Sequence, residues 1–178
     1  PKDPTTSRAP VPDYAASLKE DIKGLRIGVP RHFFFADQPQ ISRDTLSTVE
    51  RALETLEELG AHVEEVTVPT LEYSGVAQRV IMYSEAFAYH QGNLRSDPSK
   101  FGEMVRAHFR VGGLFTGAEY VQAQRARNVL KREFAELLQR VDVVASPTMS
   151  TPAPRFDESD AMTTARVPSF ASPYNLTG

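Results

Sequence analysis

Cysteine is absent from the 178 residues of this sequence. Its absence excludes disulfide bonds, thiolate zinc sites, iron–sulfur clusters and cysteine nucleophiles from this chain, so the fold must depend on packing. A strong excess of charge is absent as well, since 20 basic and 23 acidic side chains give a formal net charge of -3. We therefore expect no nucleic-acid partner, because phosphate backbones are bound by clearly basic surfaces.

Long apolar runs are also missing. The longest runs, such as Val143–Ala145, are far shorter than the roughly 20 residues that span a bilayer. The first residues, Pro1 to Pro4, do not resemble the apolar core of a signal peptide. These features predict a soluble, cytoplasmic protein with no membrane partner, and a length of 178 residues suits one domain of ordinary size.

Alternating apolar residues predict three short strands, near residues 25–29, 63–68 and 141–145. A strand, a helix and a second strand follow one another with short connections, which favours a parallel pair. The predicted fold class is therefore α/β, with about three strands of a mixed sheet flanked by helices.

Helices are predicted where apolar residues recur every three or four positions. The first begins at Ser42, which can cap it, and ends at Gly60; its predicted buried face is Leu46, Val49, Leu53, Leu56 and Leu59. A long helix over 71–94 is predicted from Val76, Val80, Tyr83 and Phe87, and a shorter one lies around 101–109. A capping box, Thr116 with Glu119, begins a helix that runs to about residue 140.

Composition divides the chain into three parts. Residues 1–17 are rich in proline and have no apolar period, so we expect an extended arm or connecting loop. Residues 18–146 form the α/β region. Residues 147–178 are punctuated by prolines and are predicted to be a long loop that leads into the remainder of a larger fold.

The residues alone indicate little chemistry. No phosphate-binding glycine motif is present, and the four histidines, at 32, 62, 90 and 108, do not have metal-ligand spacing. Ser146 and Ser150 flank a Pro-Thr pair, but no base lies at a spacing that would activate either hydroxyl. We therefore expect no cofactor, no metal and no catalytic residue within this chain.

Several segments together resemble the amidase signature family. They are the strand Gly24–Pro30, the helix end Leu56–Ala61, the segment Tyr83–Ala86, the helix motif Tyr120-x-x-Ala123-x-x-x-Arg127, the strand Asp142–Thr148 and the final Asn175–Gly178. Each is weak alone, but they occur in the family's order over nearly the whole chain. The resemblance implies a large mixed sheet wrapped in helices.

The resemblance also implies amide hydrolysis through a serine nucleophile, a second serine and a lysine base. In the family these residues lie in a Gly- and Ser-rich segment upstream of the part seen here, and this chain contains no such segment. The chain therefore resembles a C-terminal-half fragment that builds the acyl side of the substrate pocket and is inactive alone.

Four substrate-binding residues are carried over from the resemblance, namely Gln78, Arg110, Pro168 and Ser172. Gln78 and Pro168 stand where glutamine-using amidotransferase subunits have a tyrosine and an aspartate, which argues against glutamine as substrate. A deletion near residues 105–113 leaves Arg106 as a second candidate for the arginine.

Three hypotheses follow. The first is a piece of an amide hydrolase whose partner is a small-molecule amide, with a homodimer as a candidate assembly. The second is a noncatalytic α/β interaction module. The third is a piece of the glutamine-using subunit of a tRNA-dependent amidotransferase. The acidic balance and the departures at Gln78 and Pro168 lower the third, and a proline-rich tail without a core lowers the second.

Overall fold

A three-stranded parallel sheet lies at the centre of the fold. The computed structural model describes residues 6–18, 21–35, 41–153, 155 and 170–178. The strands are β1 (Arg26–Val29), β2 (His62–Glu65) and β3 (Val143–Val144), in the order β2-β1-β3. Both pairs are parallel, with Ile27 opposite Val63 on one side and Val143 on the other. The predicted α/β class and its three strands are confirmed.

The helix α2 (Arg43–Glu58) covers one face of this sheet and follows the one-turn helix α1 (Arg31–Phe34). Ile27 and Val29 point to this face and form a buried cluster with Leu53 of α2. The Ser42 side chain accepts a hydrogen bond from the Thr45 amide, as the capping prediction required. Leu59 was wrongly predicted to be buried; it is the C-cap residue and is exposed.

Gly28 points to the other face, where a larger cluster lies. A Cβ on Gly28 would stand 3.1 Å from Val66 and 3.2 Å from Val141, so the backbone and these valines are in close contact. The cluster continues through two long helices, α3 (Ser74–Ser96) and α5 (Gly117–Leu137), and includes Leu71, Ala77, Ile81, Leu130 and Phe134. The sheet therefore lies between α2 and a helical layer.

The helical layer differs from its sequence prediction in register. A 3-10 turn (Pro69–Tyr73) precedes α3, and the buried residues of α3 are Ser74, Ala77 and Ile81. Val76, which was predicted from the apolar period, is 59% exposed. A short helix α4 (Glu103–Gly112) packs on the outer half of α3, where the ring of His108 stacks on Tyr83 at 4.9 Å between centroids.

A six-residue helix, α6 (Ser172–Thr177), lies within the stretch that was predicted to be loop. Its buried residues are Pro173 and Leu176, and the preceding Phe170 is buried as well. The Phe170 ring meets Phe34 edge to face at 5.3 Å between centroids. This helix is thus part of the core, because apolar contacts compensate for its short length.

No helix in the described part of the chain is long and apolar enough to cross a membrane.

Candidate substrate-pocket cleft

An open cleft of about 480 Å³ lies where α3, α5 and α6 meet. Its size is in the range of small-molecule sites. Five of its residues come from one face of α3, one comes from α5 and two come from α6; they are Gln78, Ile81, Met82, Glu85, Ala86, Arg127, Asn175 and Leu176.

Gln78 and Ser172, both predicted to bind substrate, contact each other at this cleft. The Ser172 hydroxyl donates a hydrogen bond of 2.6 Å to Oε1 of Gln78. Gln78 is held because its neighbours Ala77 and Ile81 anchor α3 in the core, and Ser172 is held because Phe170 and Pro173 are buried on either side of it. The structure thus brings two of the four predicted residues together.

Arg127 connects α5 to the last turn of α6. Its Nε donates a hydrogen bond of 2.8 Å to the carbonyl oxygen of Leu176. The last carbonyl groups of a helix have no partner within the helix, and a guanidinium beside them also interacts favourably with the helix dipole. This contact holds α6, and with it the Asn175 side chain, at the edge of the cleft.

A chain of hydrogen bonds fixes the Glu85 carboxylate at the cleft. Nε2 of Gln124 donates to the Tyr120 hydroxyl, and that hydroxyl donates to Oε1 of Glu85, each at 2.8 Å. The bond to the carboxylate is the main cause of a raised pKa of the Tyr120 phenol, and desolvation contributes in the same direction. The nearby charge of Arg127 acts in the opposite direction.

Tyr174 joins α6 to the loop after β3. Its hydroxyl donates a hydrogen bond of 2.8 Å to Oγ of Ser146. Its ring packs edge to face on Phe134, with centroids 5.9 Å apart, and parallel to Phe34. Burial raises the pKa of this phenol, and the contact with Ser146 offsets part of the effect.

The other predicted substrate residues lie elsewhere. Arg110 is an exposed residue of α4 and is not among the described residues that line the cleft. Arg106 donates to the carbonyl oxygen of Pro98. Pro168 lies outside the described residues.

The described residues contain no cluster of three histidine, aspartate or glutamate side chains that could hold a metal ion. His32 contacts the carbonyl oxygen of Val68, His62 is exposed on β2, and His90 stacks on Phe109 with centroids 4.9 Å apart. The histidines are therefore distributed over separate parts of the fold.

Three cleft residues, Glu85, Arg127 and Asn175, were not predicted as site residues. Each belongs to a segment that carries the family resemblance, and these segments are up to 90 positions apart in the sequence. Their meeting at one cleft was therefore the available signal, but it depends on packing and cannot be obtained from spacing along the chain.

The parallel sheet and helical layers are similar to those of solved amide-hydrolysing enzymes. A chain described as a crystal structure of amidase superposes with a TM-score of 0.75 and 27% identity, covering 89% of this chain and 37% of that chain. A chain from a vestigial protein complex related to the origins of an s-triazine catabolic enzyme gives a TM-score of 0.81 and 26% identity, with 99% of this chain and 38% of that chain covered.

The family model described as Amidase matches residues 1–178, so the chain belongs to this family, the amidase signature family. It is 41% identical to an amidase of Pseudomonas putida over 158 residues, which are 89% of this chain and 33% of the relative. It is 32% identical over 204 residues to a glutamyl-tRNA(Gln) amidotransferase subunit of Pelobacter propionicus, covering 100% of this chain and 41% of the relative. The chain thus spans about a third to two fifths of these relatives.

Proposed function

We propose that this chain is the part of an amide hydrolase that builds one wall of the substrate pocket, while the serine nucleophile lies outside these 178 residues. The observation that carries the proposal is the α3–α5–α6 cleft, which gathers Glu85, Arg127 and Asn175 from three separate segments of the family resemblance. Family membership supports the reaction class, which is hydrolysis of a carbon–nitrogen bond in an amide.

In this reaction a serine oxygen attacks the amide carbonyl carbon, the carbon–nitrogen bond breaks, and the amine leaves with a proton. Water then hydrolyses the acyl-enzyme to the free acid and restores the serine. The wall formed by this chain holds the acyl group while both steps occur, and correct positioning lowers the barrier of each.

The acyl pocket is proposed to suit a general amide rather than glutamine. Gln78 carries no charge, and a proline at 168 cannot bind an ammonium group as an aspartate would. Arg110 remains part of the proposal as a cation that contacts substrate, with Arg106 as the alternative. Residues 147–178 are proposed to lead into the remainder of the enzyme, which we place in the cytoplasm as a homodimer.

The test uses the full-length protein and a panel of hexanamide, benzamide and glutamine, with ammonia release as the measurement. We expect turnover of the first two and little turnover of glutamine. Glutamine as the best substrate would contradict the general-amidase proposal, and no turnover of any amide, with a correctly folded protein, would contradict amide hydrolysis.

A second candidate function is that of a tRNA-dependent amidotransferase subunit. The observation in its favour is that relatives described as glutamyl-tRNA(Gln) amidotransferase subunits are 31–35% identical over 85–100% of this chain. Such a protein would convert glutamyl-tRNA(Gln) with glutamine as the nitrogen donor, in the presence of its partner subunits. Amide transfer to charged tRNA in that assay would favour this candidate, whereas hydrolysis of hexanamide alone would favour the first.

A further inference from the structure

The polar groups of the cleft differ in how far their hydrogen-bonding capacity is already used. Oε1 of Gln78 accepts from the Ser172 hydroxyl, so Gln78 has its amide N–H donors left for a ligand. Ser172 thereby acts as a positioning residue, because its hydrogen bond decides which end of the Gln78 amide is available. Nε2 of Gln78 has no hydrogen-bond partner among the described residues.

The remaining polar residues add further donors. Arg127 uses only its Nε, in the bond to the Leu176 carbonyl, and no described residue accepts from its two terminal nitrogens. Asn175 adds an amide at the same edge, and its side chain has no hydrogen bond to another described residue. Glu85 is the one carboxylate among the described lining residues; its Oε1 is occupied by Tyr120, and its charge is balanced by that of Arg127.

The rest of the lining is apolar, formed by Ile81, Met82, Ala86 and Leu176. We propose that this cleft selects acyl groups that combine an apolar body with an acceptor oxygen, and that it disfavours acyl groups that carry an ammonium group. The physical reason is that N–H donors outnumber the free acceptors, so an acceptor oxygen satisfies groups that an ammonium leaves unpaired. This inference rests on the proposed function, because it names the substrate class of the same pocket.

The test compares three benzamides of similar size, bound to the full-length protein and measured by calorimetry. They are 4-methoxybenzamide, which carries an acceptor, 4-ethylbenzamide, which carries neither, and 4-(aminomethyl)benzamide, which carries an ammonium. We expect the methoxy compound to bind about fivefold more tightly than the ethyl compound, and the ammonium compound to bind most weakly. Equal binding of all three, or tightest binding of the ammonium compound, would overturn the proposal.

A charge change at Gln78 tests the assignment to this cleft. In Gln78→Glu the Ser172 hydroxyl can still donate to the side chain, but the free donors become a carboxylate oxygen. We expect the order to reverse, so that the ammonium compound binds at least about tenfold more tightly than it does to the wild type. The matched control is Gln91→Glu, the same change at an exposed position of α3, and it should leave the order unchanged.

Two further variants keep the inference testable. If Gln78→Glu does not fold, Gln78→Met removes the donors at similar length and should abolish the preference for the methoxy compound. Ser172→Ala frees the Gln78 amide to turn, so the preference should decrease while binding of the ethyl compound is retained. Loss of affinity for all three compounds in equal measure would indicate a merely structural role for Ser172 and would overturn its assignment.

Turnover of the same compounds separates this inference from the proposed function. If the binding order holds and reverses in Gln78→Glu while no compound is hydrolysed, the cleft assignment stands and the hydrolase proposal is wrong. If the compounds are hydrolysed but the order does not respond to Gln78→Glu, the hydrolase proposal stands and the cleft assignment is wrong.

Discussion

Gly112 is the residue at which two helices come closest together. A Cβ at this position would lie 2.0 Å from the carbonyl oxygen of Tyr83, which is far inside contact distance. Because the obstacle is backbone, no side-chain movement can relieve it. The absence of a side chain at Gly112 therefore fixes the distance between α4 and the middle of α3, which is the helix that carries Gln78.

Gly112→Ala should destabilise the fold by about 3 kcal/mol or more, since the two helices must separate to admit a methyl group. The free energy of unfolding from urea titration measures this loss. The control is Gly92→Ala on α3, where no atom lies within 4 Å of the new Cβ. That change should be neutral or stabilise by up to about 1 kcal/mol, because alanine favours helix more than glycine does. An equal effect of the two changes would contradict the close approach.

Tyr174 makes the stability depend on pH in alkaline solution. Burial raises the pKa of this phenol above the value of about 10 in an unfolded chain. The neutral form is therefore favoured by folding. The resulting contribution to stability is fully present below pH 10 and is lost as the pH rises through the raised pKa of the folded state.

Tyr174→Phe should cost about 1 kcal/mol at pH 7, because the hydrogen bond to Ser146 is lost. Above pH 10 the variant should lose less stability per pH unit than the wild type, since its buried ring no longer ionises. Urea titrations at pH 7, 10 and 11 measure both effects. Tyr14→Phe changes an exposed tyrosine and should follow the wild type; identical alkaline slopes in all three proteins would contradict the role of Tyr174.

At the scale of elements, helix ends were easier to predict from the sequence than buried faces. The Thr116 hydroxyl accepts from the Glu119 amide at 3.2 Å, and the Glu119 carboxylate accepts from the Thr116 amide at 2.7 Å. These bonds lower the pKa of Glu119, the backbone one most. Gly60 ends α2 with φ of +94°, a conformation that glycine adopts readily. Such signals are local, so sequence suffices to find them.

Thr116→Ala should destabilise the protein by about 1 kcal/mol, because the first turn of α5 loses its cap. The measurement is again the urea midpoint, with unchanged slope. Thr48→Ala is the control, since Thr48 is an exposed residue inside α2 whose hydroxyl contacts only Arg51 in the described part of the chain. If Thr116→Ala is no more harmful than Thr48→Ala, the capping box does not stabilise α5.

The buried face of α3 could not be predicted in the same way. Val76 is exposed and Ser74 is buried, because the position of α5 and the 3-10 turn decides which side of α3 is covered. Ser74 tolerates burial because its hydroxyl donates to the carbonyl oxygen of Leu71 at 2.6 Å. The short helix α6 was missed because six residues are too few for an apolar period. Its stability comes from tertiary contacts.

At the scale of the whole molecule, order along the chain identified the family but not the cleft. The three strands and the family resemblance follow from the sequence, since each depends on a local pattern. The contact of Gln78 with Ser172 joins residues 94 positions apart, and that of Arg127 with Leu176 joins residues 49 apart. Distances of this kind depend on the packed fold, which explains why Arg127 was not predicted as a cleft residue.

The last prediction concerns catalysis by the 178-residue chain on its own. Acyl transfer requires a nucleophile held beside a base. Among the described residues, no serine hydroxyl hydrogen bonds to a lysine or a histidine, and Ser146 accepts a hydrogen bond from Tyr174 instead of donating to a base. We therefore expect no release of ammonia from hexanamide or benzamide above the buffer rate, although the full-length protein should release it.

The comparison uses equal molar amounts of the two proteins, with circular dichroism to verify that the short chain is folded. Ser146→Ala and Ser150→Ala in the short chain serve to detect a nucleophile that the geometry does not indicate. If the short chain hydrolyses either amide and one of these changes abolishes the activity, the nucleophile lies within these residues. The cleft would then be part of a complete active site, because the acyl group held beside Gln78 would have to reach that serine.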